Sequence, residues 1–173
     1  MAIKHGDNAR NVMCDAVVDL IDLGASVGKL RIINSLNGGT KYESGDVAAI
    51  IADTDTTPVS GAGSWGATDV IASLEFSAVA FKDAGLPNDD NSIKGRVGCA
   101  HANDVTEDQS CDGGPSGAQD ADHFEIVDGD GNLILNGEVR VQGNAEADIA
   151  LTSVRIATDD TIAIRNLSYT CAP

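Results

Sequence analysis

The sequence predicts a mainly β protein: a β-sandwich or jelly roll of about seven to nine strands with one α-helix at its N-terminus. Three observations carry this. Ala9, Val12, Met13, Ala16, Val17, Leu20 and Ile21 recur at three- and four-residue spacing and make the one long helical period in the chain. From Lys29 onward, short alternating apolar runs take over, separated by clusters of Gly, Asn, Asp and Ser. The 173 residues show no internal repeat and no linker, so one domain is expected. It comprises an arm at 1–7, a helix at 8–23 and a β body at 29–173.

The elements follow in order. Asp7 or Asn8 can cap the helix and Gly24 can end it. Its apolar stripe predicts that Val12, Ala16, Val17 and Leu20 are buried, with Asp15, Asp19 and Asp22 left to solvent. Lys29 to Asn34 reads as a strand stopped by Asn37-Gly38-Gly39. Val47 to Ala52 is a strand or a helical turn, which periodicity does not separate. Asp53 to Pro58 and Gly61 to Gly66, with Trp65, form a long loop by composition. Val70 to Phe76 is a strand, with Val79 and Phe81 continuing it past a bend. A turn at Gly85 to Asn91 and a weak strand around Ile93 to Val97 come next. Gly98 to Ala121 reads as an irregular polar excursion. Phe124 and Ile126 then pair across the turn Asp128-Gly129-Asp130-Gly131-Asn132 with Leu133, Leu135, Val139 and Val141. Ile149, Leu151 and Val154 to Ile156 form a further strand, turned at Asp159-Asp160. In the last strand Ile162 and Ile164 have opposite parity to Leu167 and Tyr169, which predicts a bulge near Arg165-Asn166. The expected core includes Leu133, Leu135, Val139, Ile162 and Ile164.

Charge restricts the partners. With 27 acidic and 11 basic side chains the formal net charge is −16. Such a surface repels nucleic-acid phosphates and anionic membranes, so neither is expected as a partner. No apolar run reaches the roughly 20 residues that span a bilayer. The order of residues from Met1 to Asp7 is not that of a secretory signal, so synthesis in the cytoplasm is expected. Aromatic residues are 3% of the chain, which counts against a sugar-binding or single-strand-binding face built on stacking rings.

Motifs for chemistry are sparse. No G-x-S-x-G elbow, phosphate loop or dinucleotide fingerprint occurs. His5, His101 and His123 sit in polar segments without partner patterns for nucleophilic catalysis. Asp128 to Asn132 has the look of a calcium loop, but Leu133 and Val139 stand where that loop needs Gly and an acid, and a hairpin turn accounts for all five residues. Cys99, His101, Cys111 and His123 are zinc-compatible in type, yet their spacing lacks paired C-x-x-C hooks. Cys99 and Cys111 flank a polar loop and could close it as a disulfide or remain thiols. Cys14 reads as a small buried hydrophobe on the helix. No catalytic residues, cofactor or metal are therefore expected. The candidate contacts for a partner are the arm residues Met1, Ala2, Ile3, Lys4 and His5, and the loop residue Trp65, because exposed termini and loops carry binding on rigid β scaffolds.

A set of short motifs runs through the chain: Asn8-Ala9-Arg10-Asn11-Val12-Met13 in the helix, Gly28-Lys29-Leu30-Arg31-Ile32 in the first strand, and Ala72-Ser73-Leu74-Glu75-Phe76 continuing to Ala80-Phe81. Phe124 to Val139 and the close from Thr161 to Pro173 complete it. In this order the set resembles a family of small virion structural proteins of tailed phages. The chain departs from that pattern in its four cysteines and in longer, more acidic segments at Glu43 to Thr68 and Gly98 to Ala121. The resemblance implies a protein that decorates or cements the outside of the capsid shell. Its partner would be the major capsid protein, and it would be present as a homo-oligomer or in many copies on the lattice, located on the virion after synthesis in the host cytoplasm. A tail or head–tail junction protein is the first alternative. A carbohydrate-binding module for host recognition is the second.

Overall fold

The computed structural model describes residues 5–34, 69–88, 93–145 and 147–171. The Val47 to Ala52 run expected as a strand or a helical turn, Trp65 and the arm residues Met1 to Lys4 lie outside these. The described chain is mainly strand, with helix α1 at Asp7–Val18, continued by a 3-10 turn at Asp19–Asp22, in front of nine strands. These are β1 (Lys29–Ile33), β2 (Val70–Glu75), β3 (Cys99–His101), β4 (Ala118–Asp120), β5 (His123–Val127), β6 (Leu133–Val141), β7 (Ile149–Leu151), β8 (Arg155–Ala157) and β9 (Ser168–Thr170).

The strands gather into one five-stranded sheet, in the order β2-β1-β5-β6-β7, and two ribbons, β3-β9 and β4-β8. Among the described residues this grouping does not separate into the two sheets of similar size of a sandwich or jelly roll. β1 pairs antiparallel with β2 on one side (Leu30 opposite Leu74) and with β5 on the other (Leu30 opposite Ile126). Strand β5 is buried along its whole length, so both of its faces are covered; that is why polar His123 and Glu125 sit inside beside Phe124 and Ile126. The β5–β6 hairpin turns where Asp128 to Asn132 predicts. Gly131 has φ 88°, a left-handed conformation that glycine adopts without strain.

Four features depart from the sequence expectation. The Gly98 to Ala121 stretch is not wholly an irregular excursion, because it contributes β3, buried at all three residues, and β4. Ile93 to Val97 forms no strand beyond a single bridge, Arg96 to Cys99. β7 and β8 are separate elements, and β7 runs parallel to β6, with Val139 opposite Ile149. The pairing covers three residue pairs, so the chain returns over only about 7 Å, which a short connection can manage. At the end of the chain, the parity change between Ile164 and Leu167 marks a break between two pairings: Ile162 bridges Asp108, and β9 pairs with β3.

The core holds Leu30 and Ile32 of β1, Ile71, Leu74 and Phe76 along β2, Phe124 and Ile126 of β5, and Val139. Phe76 and Phe81 stack tilted, their centroids 5.7 Å apart. Of the expected core positions, Val139 and Ile162 are buried, whereas Leu133, Leu135 and Ile164 are half-buried.

Candidate binding surface

Helix α1 and its 3-10 extension are placed on the body with a face rotated away from most of the stripe that the periodicity suggests. Cys14, Val18 and Ile21, at spacings of four and three, are buried. Val17 is half-buried. Val12 is 58% exposed, Met13 43%, Leu20 42% and Leu23 53%, and Ala9 and Ala16 are also exposed. The expected burial of Val12, Ala16 and Leu20 is thereby corrected.

The physical cause lies in three polar side chains on the inward edge of the helix. Asn11 Oδ1 accepts a hydrogen bond from the Gly98 amide (2.7 Å), Asp15 Oδ1 from the Ala84 amide (2.6 Å) and Asp22 Oδ1 from the Ala80 amide (2.7 Å). Ala80, Ala84 and Gly98 lie outside the strands, and these acceptors satisfy their three N–H groups. Turning the helix to bury Val12 and Leu20 would strand these donors. Asp15 and Asp22 therefore act as fasteners rather than as a fully solvated face. The Cys14 thiol donates to the Tyr169 carbonyl (3.6 Å), tying the helix to β9. Behind the helix the β5–β6 turn clasps the chain. Gly129 N–H donates to the Leu23 carbonyl, Asp130 Oδ1 accepts from the Ala25 amide, and Ser26 Oγ donates to the Gly129 carbonyl.

Asp19 lies on the outer edge of the same helix, exposed, close to Asp15, Asp22 and Asp83. Partial burial and repulsion from these three carboxylates raise its pKa above the ordinary aspartate value. The outward apolar stripe is thus bordered along one side by negative charge, with Asp19 exposed.

The remaining candidate residues are dispersed. Cys14, Cys99 and Cys171 come together where α1 crosses the β3–β9 ribbon: Cys99 stands opposite Thr170, and Cys171 N–H donates to the Gly98 carbonyl. Cys111 is elsewhere, its backbone paired with Asp159 and Asp160. All four cysteines are buried free thiols, so the Cys99–Cys111 bridge that the loop left open is not formed. Burial, with Asp108 and Asp160 nearby, pushes the Cys111 thiol up to about 11. His101 is buried on β3, whereas His123, on β5, has its pKa lowered by burial against the opposing pull of Glu125 and Asp122. The zinc-compatible residue types are not gathered, and among the described residues no group of three such side chains could hold a metal. In the hairpin turn, Asp128 accepts from the Asp130 and Asn132 amides and from the Asn132 side chain, so the turn itself occupies its carboxylate. His5 is exposed ahead of the helix.

Two depressions complete the surface. One, of about 230 Å³, is lined by His101, Asn103, Asp104 and Arg165. The other is a cleft of about 930 Å³ between β7, β8 and the 160–168 segment, lined by Ile149, Leu151, Ile164 and Leu167 among polar residues. The buried Nε2 of His101 has no hydrogen-bond partner among the described residues. No helix of the described residues is long and apolar enough to cross a membrane.

Comparison with protein-family models, with curated proteins and with solved structures finds no match to this chain.

Proposed function

We propose that this protein is a structural component of a phage virion that decorates or cements the exterior of the capsid shell, with the major capsid protein as partner and no catalysis of its own. One observation carries the reading beyond the resemblance in sequence. The resembling motifs are scattered along the chain yet adjacent in the fold. Gly28 to Ile32 supplies β1, which lies between β2 (with Ala72 to Phe76) and β5 (with Phe124), while the motif helix packs against β3 and β9. That these segments are neighbours in the fold supports the reading. A net charge of −16 suits a protein that must stay off the packaged genome.

The deciding experiment is densitometry of purified particles. A copy number comparable with that of the shell protein is expected. Particles lacking the protein should assemble but release DNA at lower temperature, since a ligand that binds only the assembled shell stabilises it by mass action. A few copies per particle, with unchanged head stability and lost tail attachment, would replace this reading with the tail alternative. Specific binding on a glycan array would favour the carbohydrate alternative.

A further inference from the structure

We infer that the outward stripe of α1 and the 3-10 turn that continues it, made of Ala9, Val12, Met13, Ala16 and Leu20 with Leu23 just beyond, is a docking surface for a partner protein that offers an apolar groove edged with Lys or Arg. Amphipathic helices of globular domains turn their apolar stripe inward. Here the inward orientation is prevented by the Asn11, Asp15 and Asp22 hydrogen bonds, and Val12, Met13 and Ala16 of α1 and Leu20 of the 3-10 turn are left on the outside, about one turn apart as in a helix that engages a groove. Scattered exposed hydrophobics are ordinary on a monomer, whereas a continuous stripe along one helix marks an interaction site.

Charge selects the occupant. The stripe runs beside Asp19, which Asp15, Asp22 and Asp83 repel, and none of the ion pairs among the described residues involves these four carboxylates. A second copy would bring a further −16 and, in an antiparallel helix pair, would set this acidic edge against its own image. A basic rim relieves the repulsion that a second copy would increase, and buried apolar area supplies the affinity while the rim sets orientation and rate. The surface differs from the arm and Trp65 contacts that the sequence suggests.

The choice of assay particle rests on the capsid-decoration reading, so two probes separate the two ideas. Val12→Ser/Leu20→Ser removes apolar surface at exposed positions without changing charge, and Asp19→Asn changes only the rim. Each is tested against a synthetic Leu/Lys amphipathic helical peptide by fluorescence anisotropy, and against shells of the phage assembled without this protein by cosedimentation. The double serine variant should bind both probes roughly tenfold or more weakly. Asp19→Asn should lose a few-fold at low salt, and circular dichroism should be unchanged throughout. If the double variant binds the peptide as well as the wild type, attraction is by net charge alone and the inference is overturned. Shells bound equally by wild type and double variant also overturn it, while decoration stands. If the stripe-dependent peptide binding is seen but no protein sediments with shells, decoration falls and the docking surface stands. A wild-type dimer that the double variant dissociates, or a stripe shown by hydrogen exchange to be covered by the chain's own 35–68 segment, replaces the proposed occupant.

Discussion

Asp108 and Asp128 show how much of this fold hangs on single carboxylates. Asp108 Oδ2 accepts from the Ser73 amide of strand β2 (2.7 Å), and its Oδ1 accepts from the Ser110 amide and hydroxyl, so one side chain joins a loop to a sheet edge. For both residues burial raises the pKa, but the hydrogen bonds outweigh it and hold the carboxyl below the ordinary aspartate value. The sign follows. With the folded value depressed, the stabilisation is complete above the unfolded value near 3.9 and is lost as pH falls through the folded value. Asp108→Asn and Asp128→Asn should therefore lower the urea midpoint at pH 7, and the gap from wild type should narrow below about pH 4. A gap independent of pH would assign the effect to shape alone. Asp108→Ala, which leaves the Ser73 amide without its acceptor, should cost about 1–3 kcal/mol. The cysteines give a second test. Four thiols per chain should titrate with Ellman's reagent in denaturant without reductant, and native labelling should be slow, because the thiols are buried and Cys111 is held near 11. Two thiols instead of four would restore a bridge. At this scale the turn role of Asp128 was legible, since Asp-Gly-Asp-Gly-Asn names its own conformation. The Asp108 link was not, because its acceptor geometry depends on a strand 35 residues away in sequence.

The helix is the element where local pattern and tertiary structure disagree most. It carries two apolar stripes: the longer one through Val12, Met13, Ala16 and Leu20, and a shorter one through Cys14, Val18 and Ile21. Periodicity favours the longer stripe, but the fold buries the shorter, because the neighbouring Asn11, Asp15 and Asp22 meet amides that no strand satisfies. Gly28 contributes as well. A Cβ there would press on the Ile21 side chain and on the carbonyls of Ile21 and Val127, so the close approach of the 3-10 turn to β5 depends on glycine. Truncation separates the two orientations. Ile21→Ala should cost roughly 2–5 kcal/mol in urea unfolding, whereas Val12→Ala and Leu20→Ala should stay within about 0.5 kcal/mol. The reverse ranking would return the longer stripe to the core. β1, β2 and the β5–β6 hairpin were legible because each has a clean apolar run and its own turn or breaker residues. β3 and β4 were not. They are three residues each, set in polar sequence, and exist only because β9 and β8 come back to pair with them. Ile149 and Leu151 read as strand, but the parallel pairing of β7 with β6 did not, since parallel pairing leaves no hairpin signal.

At the scale of the whole molecule, charge sets the terms on which the chain folds and binds. Lys29 pairs with Glu75, Arg140 with Glu138 and Arg155 with Asp120, all at the surface. Exposed pairs of this kind contribute about 0–1 kcal/mol each and weaken in salt. Against them stands an excess of 16 negative charges, held closer together in the folded state than in the unfolded chain. The two effects oppose each other as salt is added, because the same screening that weakens the pairs also relieves the repulsion; the Debye length falls from about 30 Å at 0.01 M to about 10 Å at 0.1 M. The acids outnumber the bases by more than two to one, so the repulsion should win. Thermal melts at pH 7.5 should therefore shift upward between 10 and 150 mM NaCl, by a few degrees for a change on the order of 1 kcal/mol in a domain of this size. Binding to a basic-rimmed partner should respond in the opposite sense and weaken over the same range, because salt screens the attraction that orients the two surfaces. Measured on one preparation, the pair of slopes separates self-repulsion from partner attraction. A melting temperature that falls with salt would mean that the surface pairs, not the excess charge, govern the stability of the isolated protein.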